Sequence, residues 1–229
     1  MDARVLAAGD AAWLVELPER IDPEVNARAI DIASRISAAR LPAVLDVVIG
    51  YRSVMVYFNP MADGAAAIEQ KLRAIAAQRA RRGAVAGASL QVPVCYDPPF
   101  GPDLPDVAAF ARCEVEEVIA RHLANEYRVY MLGFVPGFAY MATVDERIAA
   151  PRRATPRVAV PRGSVAIAAG QTGIYPEATP GGWNLIGRTP VRPYAADRPR
   201  PFLFRPGDRV RFTRISASAY ASASEWGDA

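Results

Sequence analysis

Proline divides this chain. Residues 1–90 carry four prolines, and residues 91–229 carry the other sixteen. Proline fixes φ and removes a backbone donor, so it cuts regular structure into short pieces. The change follows RRGAVAGAS (residues 81–89), a small-residue stretch that reads as a linker.

The proline-poor part shows clear periodicity. RVLAAGD and AAWLVEL predict two short strands joined at Gly9-Asp10, and VLDVVIGY and SVMVYFN predict a second pair around Tyr51-Arg52. Asp22-Pro23 opens a helix, with Asp as N-cap and Pro at N1. Val25, Ala29, Ile32, Ala33 and Ile36 supply its apolar face. A second helix, from about Ala62 to Arg81, carries Ala66, Ile68, Leu72, Ile75 and Ala76. The order ββαββα predicts an antiparallel four-stranded sheet with helices packed on one face. Nothing in it carries chemistry.

The proline-rich part starts with the strand LQVPVCY and the turn-rich DPPFGPDLPD. Helices are expected at Pro105–Ala111 and Glu114–Ala124, the second with three glutamates in its first turn, where the helix dipole favours acids. Short β-like runs follow: RVYMLGF, RVAVP, SVAIAAG, NLIGRTPV and PFLFRPGDRVRF. Many short strands punctuated by Gly and Pro argue for a closed barrel or a sandwich. Val210 and Phe212 are expected to face inward, and the tail SASAYASASEWGDA to be loose.

Several functional classes are excluded. No apolar run approaches the ~18–20 residues of a membrane span. The N-terminus, MDARVLAAGD, lacks the basic and apolar regions of a secretory signal, so a cytoplasmic location is expected. Cys95 and Cys113 are too few and too separated for a disulfide framework, and one histidine argues against a zinc site. The net charge of +3 hides an asymmetry: seven acids against two arginines from Asp97 to Glu126, then fourteen arginines against five acids from Arg128 to Arg214. Guanidinium suits carboxylates and phosphates. Those arginines lie on Pro-broken segments without a recognition helix or an RNP-like signature, which argues against a nucleic-acid partner.

The densest chemistry lies in AAGQTGIYPEATPGGWNLIGRTP, residues 168–190, with five glycines and three prolines. It reads as structural turns around a plugging Trp183, or as a pocket wall offering Gln171, Tyr175, Trp183 and Arg188. A Walker-type phosphate loop is excluded, because no GxxxxGK[ST] occurs and the sole lysine is Lys71. EYRVYMLGFVPGFAY is also rich in aromatics and glycine, and PRRATPRVAVPRGS adds Arg152, Arg153, Arg157 and Arg162. Three such segments favour the pocket wall.

YRVYMLGFVPGFAY, PRRATPRVAVPRGSVAIAAGQTGIYP and TPGGWNLIGRTP resemble the signatures of the bacterial family variously called allophanate hydrolase subunit 1, KipI and 5-oxoprolinase B-subunit. The resemblance runs from GDAAWLVEL to RPGDRVRF. Two departures are local: MATVDERI follows Tyr140 in place of a Gly-rich GGLD-type continuation, and Ala169 stands where glycine is commoner. The resemblance implies an α+β chain, with a ββαββα sandwich domain at residues 1–85 and a cyclophilin-like β-barrel domain at 86–215. Residues 216–229 are left as a flexible tail.

By that resemblance the chain is one component of a bacterial 5-oxoprolinase, inactive alone. The complex uses ATP as co-substrate to open the lactam of 5-oxoproline, giving glutamate, ADP and phosphate. No metal or prosthetic group is implied for this chain. The implied partners are a second cyclophilin-like subunit (the 5-oxoprolinase C-subunit, or allophanate hydrolase subunit 2) and a third, the A-subunit. The resemblance also implies the pocket residues. Arg128, Arg157 or Arg188 would pair with carboxylate or phosphate, Gln171 and Thr172 would orient an amide, and Tyr175 would add a polar contact. Phe134, Phe138 and Trp183 would form an apolar wall. His122 reads either as a satisfied or C-capping histidine or as a general acid/base, being the one side chain that ordinarily titrates near neutrality. Two rival roles belong to the same family: inhibition of a sporulation histidine kinase by docking, and urea-carboxylase-like carboxyl transfer. The second would need a separate biotin carrier, since this chain has no Met-Lys attachment pair.

Overall fold

A computed structural model describes residues 3–79 and 87–223. The chain divides into two compact units, Met1–Ala86 and Gly87–Ala229. Most of the linker read at residues 81–89 lies outside the described residues, as does the chain beyond residue 223.

The first unit runs β1 (Arg4–Ala7), β2 (Ala12–Glu16), α1 (Pro23–Ala38), β3 (Val44–Ile49), β4 (Ser53–Phe58) and α2 (Ile68–Ala77). Its antiparallel sheet has the order β1-β2-β4-β3, so the expected ββαββα unit is present. Asp22 caps α1, its carboxylate accepting from the backbone N–H of Glu24 and Val25. The predicted stripe of Val25, Ala29, Ile32, Ala33 and Ile36 is buried against Val15, Val54 and Val56 of the sheet. The second helix is shorter than its periodicity suggests. A 3-10 turn at Ala65–Ala67 precedes it, and it ends at Ala77. Its last carbonyls receive Arg28 of α1, which donates to Ala76 O at 2.7 Å and pairs with the buried Asp31 at 2.9 Å.

The second unit opens with β5 (Ser89–Cys95), α3 (Leu104–Ala111), α4 (Val115–Ala124), β6 (Glu126–Leu132) and β7 (Ala139–Ala142). β8 (Arg157–Val160), β9 (Ser164–Ala168), β10 (Gln171–Ile174), β11 (Thr179–Gly181), β12 (Asn184–Arg188), β13 (Arg209–Ile215) and α5 (Ala217–Ser222) follow. Seven strands close a barrel in the order β10-β7-β6-β13-β5-β12-β9. Closure leaves no unpaired edge. β13 runs parallel to β5 along its whole length, from Arg209 opposite Ser89 to Ile215 opposite Cys95. Val210 and Phe212 face inward, as their alternation predicts.

The glycine-rich stretch folds differently from a set of turns: it supplies β10, β11 and β12. β9 shows why both faces of this region are apolar. Val165 and Ile167 join the main core with Ile174, Met141 and residues of α3 and α4, while Ala166 and Ala168 join a second cluster. That second cluster holds Phe138, Val160, Tyr175, Trp183 and Leu185. It lies on the outer face of the barrel, and β8, which pairs with β11 as a separate two-stranded ribbon, contributes Val160 to it. The tail read as loose begins with α5, capped by Ser216 Oγ and joined to the barrel unit by Tyr220 against Phe100, ring centroids 4.6 Å apart.

Candidate functional site

The outer face of the barrel collects much of the sequence-predicted set. Strand register places Gln171 opposite Ala142, Ala142 opposite Arg128, and Arg128 opposite Arg209, so these four side chains share one face. Arg128 and Gln171 stand about 10 Å apart, two strand spacings, with the methyl of Ala142 between them. Burial holds the Arg128 guanidinium below its ordinary pKa, and Arg209 adds to the effect. Phe138 centres the aromatic layer, edge-on to Tyr140 at 4.8 Å, Tyr175 at 5.2 Å, Trp183 at 5.4 Å and Phe134 at 5.7 Å.

Only one ring of that layer is well exposed. Phe138, Tyr175 and Trp183 are buried, so they form a foundation rather than the open wall the sequence suggests. Phe134 is 60% exposed and has φ +67°, a left-handed conformation that costs a bulky residue energy. Burial raises the pKa of both Tyr140 and Tyr175, while nearby Arg152 pulls each back. Gly173 has to be glycine: a Cβ there would lie 2.9 Å from Phe138 Cζ and 3.0 Å from the Ala139 carbonyl oxygen. Gly181 makes room for Tyr175 in the same way.

Other predicted residues go elsewhere. His122 is fully buried, stacked on Phe212 with centroids 4.7 Å apart. Thr172 Oγ1 donates to Ala166 O at 3.0 Å, so it accepts from His122 Nε2–H at 3.1 Å. His122 Nδ1 then accepts from Tyr96 O–H at 2.8 Å. This network satisfies a neutral imidazole, and burial depresses its pKa to about 3. The geometry therefore gives His122 and Thr172 an interior, structural place and no contact with solvent. Burial also holds Tyr96 and Tyr127 as phenols, and Tyr127 donates to His122 O at 2.9 Å.

Arg157 is also committed. Both its terminal nitrogens donate to Asp103, at 2.7 and 2.9 Å, and Arg153 adds a third donor at 2.8 Å. Arg188 is at the far end of β12 from Trp183, roughly 15 Å along the strand, over the Phe100 ring at 5.6 Å. The structure does not bring it to the aromatic layer.

The sequence reading missed Asp103. It stands at the N-cap position of α3 but makes no capping bond. Beside it opens a cleft of about 410 Å³ lined by Arg152 and Arg153 of the arginine-rich segment and by Thr155 and Asn184, among others. The signal was present as charge asymmetry. The acid-rich segment pairs with the arginine-rich one: Asp103 with Arg153 and Arg157, Glu116 with Arg214, and Glu126 with Arg211.

Residues 3–204 match the family described as carboxyltransferase domain, subdomain C and D. The chain belongs to that family. This carboxyltransferase-domain chain is 37% identical to the 5-oxoprolinase B-subunit of Bacillus subtilis (strain 168) over 231 residues, 95% of each chain. It is 38% identical to the 5-oxoprolinase B-subunit of Escherichia coli O157:H7, over 92% of this chain and 95% of the other. The crystal structure of TTHA0988 superposes with a TM-score of 0.80 at 38% identity. That match covers 90% of the carboxyltransferase-domain chain and 40% of TTHA0988. Urea carboxylase of Kluyveromyces lactis shares the fold, with a TM-score of 0.75 at 19% identity over 96% of this chain and 22% of that one.

What the carboxyltransferase-domain face offers is binding chemistry: guanidinium groups, an amide at Gln171 and an aromatic layer. Among the described residues no group of three or more His, Cys, Asp or Glu could hold a metal ion, and no helix is long and apolar enough to cross a membrane.

Proposed function

We propose that this chain is one subunit of a heteromeric 5-oxoprolinase, and that the outer face of its barrel forms one wall of a site completed by another subunit. The observation that carries this reading is the end-to-end match to the 5-oxoprolinase B-subunit, 37% identity across 95% of both chains. A subunit designation implies partners, and by family these are a second cyclophilin-like subunit and a third subunit. The match to TTHA0988 supports a partnered role, because most of that longer chain lies beyond the shared part.

The chemistry suits a shared site. Opening a lactam needs an activated amide, most simply through phosphorylation of its oxygen by ATP, and then donors around the developing oxyanion. Arg128 and Gln171 on one face supply such donors. The chain's one histidine is sealed inside, so it offers no acid or base to that face. The glycines of β10 and β11 serve close packing rather than a phosphate loop, so ATP binding is also assigned outside that stretch.

The test is ADP release with 5-oxoproline, using this chain alone, the partner subunits alone and the full mixture. Turnover confined to the full mixture establishes an obligatory subunit. A folded complex without turnover overturns the reading. The family description favours a second reading, carboxyl transfer. It predicts bicarbonate-dependent transfer with a biotin carrier present, and no response to 5-oxoproline.

A further inference from the structure

Between β12 and β13 runs RPYAADRPRPFLFR, residues 192–205, which supplies none of the barrel strands. Its base is fixed. Val191, Ala195 and Phe204 are buried, and Ala195 N–H donates to Pro201 O and Leu203 N–H to Pro193 O, both at 2.9 Å. Tyr194 and Phe202 face each other across this small hairpin as an isolated bridge. Pro193, Pro199 and Pro201 fix φ at three positions within it. A segment stiffened in this way has little conformational entropy left to lose on binding.

Its charge is unbalanced. The segment holds four arginines and one acid, Asp197, so three positive charges remain whatever pairs form within it. The next acid, Asp208, is buried and already used by backbone, accepting from Ala88 N–H at 2.9 Å and Arg205 N–H at 2.7 Å. Arg200 and Arg205 are exposed, and neither has an ion pair among the described residues.

Beside this charge, aromatic rings stand in water. Phe202 is 43% exposed, its centroid 5.2 Å from that of Tyr194. The turn that carries the exposed Phe134 abuts the hairpin. A Cβ at Gly137 would lie 2.5 Å from Tyr194 Cβ and 3.3 Å from the Pro193 carbonyl oxygen. A small anion would account for the guanidinium groups and leave both phenylalanines wet. An acidic protein face accounts for charge and rings together. Arginine and aromatic side chains are enriched at protein interfaces, where lysine is depleted, and this segment has no lysine.

We propose that the hairpin and the Phe134 turn form the surface on which a partner subunit docks, through an acidic face that offers carboxylates to Arg200 and Arg205 and an apolar seat to Phe202. The proposal rests on the subunit reading for the partner being a protein; the hairpin's own charge and rings set that partner's chemistry. Docking here would bring the partner to the border of the outer barrel face.

Calorimetric titration of this chain with the 5-oxoprolinase A- and C-subunits, singly and together, tests this at about 50 and about 300 mM NaCl. Arg200→Glu should weaken binding at least about tenfold at the lower salt and flatten the salt dependence. Phe202→Ala should weaken it at least about tenfold at both. Arg40→Glu makes the same change of charge at an exposed position of the first unit, and should bind as the parent does. Thermal melts check that each variant folds, and Arg200→Glu, which breaks no ion pair among the described residues, stands if Phe202→Ala does not. Unchanged affinity in both hairpin variants, or an equal loss in Arg40→Glu, overturns the proposal. So does another occupant: self-association of this chain abolished by Arg200→Glu, or a single-stranded oligonucleotide that binds more tightly than either subunit. Failure of both subunits to bind the parent overturns the surface and the subunit reading together. ADP release separates the two otherwise. A complex that binds through this surface without turning over 5-oxoproline keeps the surface and loses the functional reading. A complex that turns over, and binds equally well with Arg200→Glu and with Phe202→Ala, does the reverse.

Discussion

His122 shows how far one residue's chemistry depends on what surrounds it. In sequence it is the obvious acid/base, ordinarily titrating near pH 6.5. In the fold burial depresses it to about 3, and its nitrogens serve Tyr96 and Thr172. The unfolded chain therefore takes up this proton more readily than the folded one between those values. The histidine's contribution is complete above about pH 6.5 and is lost as pH falls toward 3, with a slope on the order of 1.4 kcal/mol per pH unit. Urea unfolding from pH 7 to 4 should show this slope in the parent and lack it in His122→Gln. The variant should start less stable at neutral pH, by about 1–3 kcal/mol, because partners lose their bonds. Equal slopes in the two proteins would remove the buried-neutral assignment. No local pattern could have revealed the pairing, since Thr172 lies 50 residues away and meets the helix only through barrel closure. Ala169 was more legible. It occupies φ +49° between β9 and β10, which gives a physical reason why glycine suits the position.

At the scale of elements, legibility followed periodicity. The first unit's strands and α1 could be placed because alternation and a capped helix start leave little choice. β7, β10 and β11 were hidden because glycine and proline are breakers in isolation. QTGI is a strand nonetheless, since Gly173 sits where Phe138 leaves no space for a side chain. Propensity lost to packing. Gly173→Ala is expected to destabilise the second unit by about 1–3 kcal/mol, since Phe138 is buried and the Ala139 carbonyl belongs to the neighbouring strand. The Trp183 environment should change with it, because Phe138 lies edge-on to that ring. Denaturant midpoint and tryptophan emission measure the two effects. A variant matching the parent in both would mean that the face yields easily and that the glycine has another reason to be there.

For the whole molecule, the arginine-rich character means less than it suggests, because much of it is matched by the acid-rich segment that precedes it. Exposed pairs such as Arg211–Glu126 add little stability, at most about 1 kcal/mol each. They remove charge that would otherwise be free to attract any anion. On the outer barrel face, Phe134 is the clearest strained position. Holding that ring at positive φ costs about 1–2 kcal/mol. Phe134→Gly relieves this cost, but loses an edge contact worth about 0.5–1.5 kcal/mol and adds unfolded-state entropy worth about 0.4–1 kcal/mol. The free chain should therefore keep its stability to within about 1 kcal/mol. If the face is a wall of a shared 5-oxoprolinase site, turnover by the reconstituted complex should nevertheless fall at least tenfold. Thermal melts of the chain and ADP release by the complex separate the two quantities. A variant equally stable and equally active would place Phe134 outside the site; one that melts early and loses activity in proportion would make its strain a packing matter. Stability held while turnover falls is the outcome expected of a residue kept strained for function.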